Sequence, residues 1–137
     1  MQRPAPAPNA ENRLFWEGAA RGILQLAECG VCERIAYPPQ PRCPYCLSGA
    51  LRWTELSGRA RLRGWTDNYL AALPGYERPI CIVECALEED PGAIVVALDP
   101  IGAVRNCSLD AQLRIGFAAD VNGWSYPQVV SVGEDVS

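Results

Sequence analysis

The sequence predicts a mainly β chain: a short N-terminal helix, then a metal-binding ribbon, then a small barrel of about five strands. Three observations predict it. Four of the seven cysteines stand in two C-x₂-C pairs separated by ten residues. Short apolar runs broken by glycine and proline follow over roughly 80 residues, with no strong helical pattern between them. The 137 residues, 49% of them apolar, suffice for one modest domain or two very small ones.

Composition excludes several kinds of enzyme. The chain has no histidine, and all 12 of its basic residues are arginine, so it has no lysine. It therefore cannot build a Ser-His-Asp or Cys-His centre, a lysine Schiff base or a phosphate-binding P-loop. A net charge of −4 disfavours a general nucleic-acid binder, although a local arginine patch can still bind phosphate.

Targeting signals are not found in the sequence. The first ten residues contain no apolar run of signal-peptide length, and no stretch approaches the length of a membrane span. An odd number of cysteines, four of them closely paired, favours metal-bound thiolates in a reducing compartment over a disulfide framework. The predicted location is the cytoplasm.

The N-terminal part begins with a Pro/Ala-rich segment, residues 1–10, which is predicted to be flexible. Asn9 can cap a helix over Glu11–Arg21, with apolar residues at helical spacing. Two adjacent aromatic residues, Phe15 and Trp16, cannot both lie at the centre of one narrow apolar stripe. Either one packs on the domain and one on its edge, or the helix docks on a partner that buries both.

The ribbon is predicted within residues 11–51, together with the helix. Each C-x₂-C hairpin presents two thiolates to one point, and two hairpins complete the tetrahedron that Zn²⁺ prefers. Four protein ligands leave no position for water, so one structural, non-catalytic zinc per chain is predicted. Free or redox-active cysteines are the alternative, disfavoured because no βαβ pattern surrounds either pair. The predicted ligands are Cys29, Cys32, Cys43 and Cys46.

The barrel is predicted over residues 52–130, with a boundary near Leu51–Trp53 and a flexible tail at 131–137. Alternating or apolar runs bounded by turn residues indicate its strands. An earlier apolar strand, Ile23–Ala27, leads into the first cysteine pair. The runs assigned to the barrel are Arg52–Leu56, Arg59–Thr66, Ile80–Leu87, Ile94–Leu98 and Gln112–Val121.

Three arginines alternate along one strand. Arg59, Arg61 and Arg63 share a strand face, while the residues between them point to the other face. Guanidinium groups bind phosphates bidentately, so this face is a candidate phosphate site. The alternative is a solvated strand face that pairs with some of the 16 acidic residues.

The remaining cysteines are Cys81, Cys85 and Cys107. The first two share a face of one predicted strand. All three are predicted to be small packing residues, because the sequence shows no electropositive setting that would activate a thiol.

The order of these features resembles the acyl-CoA-associated zinc-ribbon/OB-fold proteins, over about residues 12–125. Ala60 departs from the family's usual glycine, and the segment Trp65–Gly75 matches no family motif. The motifs that carry the resemblance are Phe15-Trp16-Glu17-Gly18, Leu24-Gln25-Leu26 before the first cysteine pair, Tyr37-Pro38-Pro39 before the second, Trp53, Ser57-Gly58-Arg59-Ala60, Pro79 through Glu88-Glu89, and Ile115-Gly116.

The resemblance implies a helix, a rubredoxin-like zinc ribbon and an OB-fold barrel. It also implies a non-catalytic accessory subunit of a thiolase-like acyl-CoA enzyme: a thiolase, an acyltransferase or a retro-aldolase, including those of steroid side chains. Phe15 and Trp16 are then the candidate partner-docking residues, and Arg59, Arg61 and Arg63 the candidate CoA phosphate ligands. A heterotetramer with two copies of each subunit is expected, since thiolase-like proteins are usually dimers.

Two other functions follow from the residues. A single-stranded nucleic-acid-binding module is the main alternative, because zinc ribbons and OB folds both serve that role, although the acidic charge weighs against it. A hydrolase using the carboxylate cluster of Glu84, Glu88, Glu89 and Asp90 is the third, but these residues resemble a strand end and a turn.

Overall fold

The computed structural model describes residues 5–69 and 79–133. One short helix packs against a three-stranded sheet, which is followed by a closed barrel of five strands. The predicted mainly β class is therefore confirmed. The elements are α1 (Arg13–Ala20), β1 (Leu24–Cys29), β2 (Ile35–Ala36), β3 (Leu51–Leu56), β4 (Arg59–Asn68), β5 (Ile80–Leu87), β6 (Ile94–Leu98), a 3₁₀ helix (Ala103–Asn106), β7 (Gln112–Ala119) and β8 (Ser125–Val132).

Helix α1 follows a turn that two asparagines stabilise. The Asn9 side-chain oxygen accepts hydrogen bonds from the backbone N–H groups of Glu11 (3.0 Å) and Asn12 (2.9 Å), and the Asn12 oxygen accepts one from Asn9 (2.8 Å). The asparagine therefore caps the turn, and the helix itself begins at Arg13. With eight residues α1 is short, and no helix in the described part is long and apolar enough to cross a membrane.

The three-stranded sheet has the order β2-β1-β3, with antiparallel pairing throughout. Strand β3 pairs with β1 from Leu24↔Leu56 to Cys29↔Leu51. The segment Arg52–Leu56, assigned to the barrel from its sequence pattern, is thus a strand of the ribbon sheet. An alternating run shows which residues share a face but does not identify the neighbouring strand. The chain then enters the barrel through Ser57–Gly58, where we propose the domain boundary.

Gly58 is required at that junction. Its φ of +82° is a conformation that L side chains rarely adopt, and an added Cβ would lie 2.6 Å from the carbonyl oxygen of Ile115. The same close approach allows Ile115 N–H to donate to the Gly58 carbonyl at 2.8 Å. Glycine therefore joins the first barrel strand to β7 at a distance that another residue would prevent.

The barrel has the strand order β4-β5-β6-β8-β7, and β7 closes it by pairing with β4. The β6–β8 pair is parallel and the other pairs are antiparallel. This is the order of a five-stranded OB-type Greek-key barrel. Strand β4 contacts both neighbours because a bulge between Leu62 and Gly64 bends it. The prediction of a five-stranded barrel is confirmed.

The fifth barrel strand, β8, was not predicted from the sequence. It contains Pro127, and proline argues against a strand because it lacks an N–H donor. The structure accommodates it because β8 meets β6 at a single register position, Leu98↔Gln128. The Asn122-Gly123 pair before β8 is a strong hairpin signal that would have revealed it. The predicted flexible tail thus begins within β8, and its residues 134–137 lie outside the described part.

One apolar core joins the ribbon to the barrel. Leu24 and Leu26 of β1 and Ile35 of β2 belong to the same buried cluster as the inward-facing side chains of the barrel strands. Helix α1 adds Phe15 to this cluster. The ribbon is therefore packed on the barrel rather than tethered to it.

Candidate functional site

Two cysteine knuckles of matching geometry lie at one end of the ribbon sheet. In each, the N–H of the fifth residue donates to the carbonyl of the first cysteine: Glu33 to Cys29 at 3.0 Å, and Leu47 to Cys43 at 2.9 Å. That fifth residue has a positive φ in both, 64° and 66°. The two segments thus fold alike, and each aims two sulfurs at a common centre.

The four sulfurs form one cluster, in which all Sγ atoms lie within 4.8 Å of one another. The cross-knuckle pairs are 3.6 Å (Cys29–Cys46) and 3.4 Å (Cys32–Cys43) apart. None of the seven cysteines, all of which are described, forms a disulfide. The structure brings together the four residues that the sequence analysis named as ligands.

The cluster fits a tetrahedral thiolate-bound metal. A zinc–sulfur distance of about 2.3 Å places the sulfurs of a regular tetrahedron roughly 3.8 Å apart, close to the cross-knuckle separations. The backbone N–H groups of Cys32 (3.5 Å) and Val31 (3.4 Å) point to the Cys29 sulfur and lower the pKa of its thiol to about 6. Because the thiolate is the form that binds metal, the backbone prepares this sulfur for coordination.

An ionic joint connects the knuckles to the barrel. The Arg34 guanidinium lies over the Tyr45 ring, 3.8 Å from its centroid, and its Nε donates to Asp90 Oδ2 at 2.9 Å. Asp90 stands in the turn between β5 and β6, where it also accepts hydrogen bonds from Ile35 N–H and Gly92 N–H, both at 3.0 Å. Burial alone would raise the pKa of this carboxyl, but the Ile35 N–H and Arg34 hold it below its usual value. From the sequence, Asp90 was predicted only as part of an acidic turn, because its partners lie 55 and 56 residues away.

A cavity of about 600 Å³ lies where β4, β5 and β7 meet. The two arginines at its rim are paired with acidic residues. Arg59 Nε donates to Glu88 at 2.8 Å, and Arg61 donates to the Asp110 carbonyl at 3.1 Å. We call this cavity the arginine groove; its lining is Arg59, Ala60, Arg61, Ala86, Leu87, Glu88, Pro91, Asp110, Gln112 and Leu113.

Only two of the three predicted arginines, Arg59 and Arg61, line this groove. Arg59, Arg61 and Arg63 are exposed, and buried Ala60 and Leu62 alternate with them as expected. Arg63, however, is the extra residue of the β4 bulge and does not line the groove. Because a bulge re-aims its side chain, strict alternation extends only to Leu62. A bulge of this kind leaves no clear signal in sequence.

The predicted docking pair, Phe15 and Trp16, divides between core and surface. Phe15 is 7% exposed and packs edge-on against Phe117, so its side chain is part of the core. Trp16 is half-buried and makes edge-to-face contacts with Trp124 (5.9 Å) and Tyr126 (5.8 Å). The aromatic residue that remains accessible is therefore Trp16, within a cluster that includes two residues of the β7–β8 hairpin.

The other cysteines are packed as expected. Burial raises the pKa of the Cys85 thiol to about 12 and that of Cys81 to about 11, so neither is a ready nucleophile. Cys107 is half-buried and its sulfur lies 3.6 Å from the Ala103 carbonyl oxygen. Of the unmatched segment Trp65–Gly75, residues 65–69 are described, and residues 70–75 lie outside the described part, which resumes at Pro79.

The chain combines a ribbon that holds four clustered cysteines with an OB-type barrel. It is therefore a ribbon–barrel protein. Residues 16–52 match the family described as the ChsH2 rubredoxin-like zinc ribbon domain, and this segment contains all four cysteines of the cluster. The match covers the ribbon, and there it agrees with the resemblance found in the sequence.

Similar proteins extend the likeness beyond the ribbon. A protein named probable enoyl-CoA hydratase alpha subunit, from Thermomonospora curvata, is 29% identical over 89 residues, which are 64% of this chain but only 27% of that protein. Among solved structures, the Ltp2-ChsH2(DUF35) aldolase matches with a TM-score of 0.78 and 21% identity over 91% of this chain and 97% of the other. A DUF35-family protein from Sulfolobus solfataricus matches with a TM-score of 0.58 and 16% identity over 78% of each chain. The two structures show the shared fold.

Proposed function

We propose that this chain is a non-catalytic accessory subunit of a thiolase-like acyl-CoA enzyme: a thiolase, an acyltransferase or a retro-aldolase. The observation that carries the proposal is the extent of the fold match to the ChsH2-containing aldolase, which spans helix, ribbon and barrel together. The hydratase-subunit relative, named after an acyl-CoA reaction, supports the same substrate class. The match of residues 16–52 to the ChsH2 ribbon links the ribbon to the same group.

The side-chain chemistry supports a non-catalytic role. The chain has no histidine and no lysine, so a general base at neutral pH would have to be a carboxylate, a thiol or a phenol. Within residues 5–69 and 79–133, the two buried carboxylates are Asp90 and Asp99, and both accept backbone N–H groups as structural acceptors. The barrel thiols Cys81 and Cys85 have raised pKa values. The reacting groups are therefore proposed to lie in the partner.

The metal in this proposal is one zinc ion per chain, held by Cys29, Cys32, Cys43 and Cys46. Four thiolates are a donor set typical of closed structural zinc sites, which keep no position for water or substrate. When bound, the ion would supply cross-linking of the two knuckles rather than chemistry. The backbone N–H groups that point to the Cys29 sulfur then stabilise its thiolate form.

The arginine groove is the proposed contact for the CoA part of the substrate. Its volume of about 600 Å³ and the apolar residues Ala86 and Pro91 in its lining suit an elongated ligand with a charged end. Arg59 and Arg61 at the rim can exchange their exposed carboxylate partners for a phosphate, which binds guanidinium groups bidentately. Arg63 does not line the groove, so in this proposal it acts on a bound phosphate only through its long-range charge.

Docking on the catalytic subunit is proposed to use Trp16 with Trp124 and Tyr126. Aromatic residues that are partly exposed in a group are typical of interface anchors. A heterotetramer with two copies of each subunit remains the expected assembly. Nucleic-acid binding is disfavoured because the chain carries a net charge of −4, whereas nucleic-acid-binding domains are usually basic.

The test is reconstitution with a thiolase-like catalytic subunit from the same organism. We expect the two to co-elute, and the Trp16→Ala variant to weaken the complex by at least about tenfold in Kd, as for an interface hot spot. Trp65→Ala is the matched control, because Trp65 is an exposed tryptophan on β4, whereas the ring contacts of the cluster join Trp16 to Trp124 and Tyr126. Separate elution of the wild-type proteins, together with full activity of the partner alone, would refute the proposal.

A further inference from the structure

A continuous series of contacts runs from the second cysteine knuckle to the wall of the arginine groove. Tyr45 lies between Cys43 and Cys46, so the position of its ring follows the fold of that knuckle. The Arg34 guanidinium lies 3.8 Å from the Tyr45 ring centroid, and Arg34 Nε donates to Asp90 at 2.9 Å. Two contacts therefore connect a metal-site loop to a barrel turn.

Asp90 fixes the turn that forms part of the groove. Its second carboxylate oxygen accepts the N–H of Gly92 at 3.0 Å, and its own carbonyl accepts the N–H of Ala93 at 2.8 Å. The same turn carries Glu88 and Pro91, both of which line the groove. With only 9% of its surface exposed, Asp90 has little access to water as an alternative partner.

We propose that Arg34 and Asp90 are positioning residues that couple metal occupancy of the ribbon to the shape of the arginine groove. A bound metal fixes the knuckle and its Tyr45 ring; the ring holds Arg34, and Arg34 with the Ile35 N–H holds Asp90. Coupling of this kind is reciprocal, so freeing Asp90 must also weaken metal binding. The inference rests on the structural metal of the proposed function, and not on its partner or its CoA substrate.

The chain contains a matched control for a general loss of stability. Asp99 is also a buried aspartate, 3% exposed, and it also accepts two backbone N–H groups, those of Gly102 and Val104, both at 2.9 Å. These two partners lie at the start of the 3₁₀ helix, so the hydrogen bonds of Asp99 stay within the barrel part of the chain, whereas those of Asp90 reach the ribbon. If Asp90 acts only as a buried acceptor, replacing either aspartate must have the same effect on the metal.

The first measurement is zinc affinity of the full chain, by competition with a chromophoric chelator. We expect Asp90→Asn to weaken zinc binding at least about fivefold, the lower end of typical coupling between sites. Asp99→Asn should change it by less than about twofold. Equal losses in the two variants, or no loss in Asp90→Asn, would overturn the proposal.

The second measurement uses substitutions of two exposed knuckle residues, Tyr45 and Leu47, and none of a buried residue. With zinc saturating, Tyr45→Leu should speed hydrogen exchange of the hydrogen-bonded amides of Glu88, Gly92 and Ala93 at least about threefold, because local protection reports the free energy of local opening. Two variants serve as controls. Tyr45→Phe keeps the ring and should show wild-type exchange. Leu47→Ala changes an exposed residue of the same knuckle and should also leave the exchange rates unchanged. Wild-type exchange in Tyr45→Leu would contradict the coupling. Neither measurement uses a partner or acyl-CoA, so a negative result here is distinct from failure of the proposed function.

Discussion

The ribbon and the barrel reach a fixed structure by different means. At the knuckles, large apolar side chains face outward: Val31 is 67% exposed and Leu47 70%. The barrel also has exposed apolar side chains, but it encloses a core of large buried ones, of which Leu62 and Leu113 are at most 2% exposed. The knuckles therefore depend on four sulfurs around one centre, whereas the barrel depends on apolar burial and a closed ladder of hydrogen bonds. A change at the knuckles should therefore alter metal binding, whereas a change in the barrel core should alter the free energy of unfolding without altering metal binding.

The largest predicted effect is loss of a knuckle sulfur. Cys43→Ser should abolish stoichiometric metal binding and lower the free energy of unfolding by several kcal/mol, on the order of 3–5, because metal binding and folding are coupled in small sites. The measurement is metal content by elemental analysis together with denaturant unfolding.

The control for that prediction is the same substitution in the barrel. Cys85 is fully buried in β5 and is not part of the cluster. Cys85→Ser should destabilise the chain by about 1–3 kcal/mol, through burial of a hydroxyl, and should leave the metal content at the wild-type value. If Cys85→Ser also lost the metal, the division between ribbon and barrel would be wrong.

These two regions were also unequally predictable from sequence. The cysteine ligands are defined by spacing over eighteen residues, Cys29 to Cys46, so local pattern was enough to name them. Barrel pairing joins strands that are distant in sequence, such as β4 with β7, and alternation alone gave Arg52–Leu56 the wrong sheet. The joint at Asp90 was not predicted for the same reason, since an acidic turn does not reveal a partner 56 residues away.

A smaller effect is expected at Asp90, which connects the barrel to the ribbon through Arg34 and the Ile35 N–H. Asp90→Asn should lower the free energy of unfolding by about 1–3 kcal/mol at neutral pH, because buried N–H groups and Arg34 lose a charged acceptor. The folded-state pKa of Asp90 lies below its ordinary value of 3.8. Its contribution is therefore complete above about pH 5 and is lost as the pH falls through that lowered pKa.

Unfolding curves between pH 2 and 7 test this prediction. The difference in unfolding free energy between wild type and Asp90→Asn should stay constant from pH 7 to about 5 and shrink in more acidic solution. A difference that is independent of pH down to 2 would show that the Asp90 charge does not stabilise the joint.

The smallest effect on stability is expected in the groove. Arg59→Gln with Arg61→Gln removes two exposed ion pairs, each worth about 0–1 kcal/mol, so the fold should be nearly unaffected. In the reconstituted complex the same change should raise the KM for acyl-CoA about tenfold or more, through loss of charge-assisted phosphate bonds. Arg52→Gln is the control, because Arg52 is an exposed arginine that pairs with Glu28 on the ribbon. An unchanged KM would leave the two groove arginines as surface charges.

The metal content of the purified wild-type chain tests the division between the two regions most directly. Native mass spectrometry, combined with elemental analysis, should show one zinc ion per chain, released only by strong chelators or by acid and accompanied by unfolding of the ribbon. A soluble chain that is zinc-free, yet keeps the same far-UV spectrum and the same unfolding midpoint as the zinc-treated protein, would contradict a ribbon that is built on its metal.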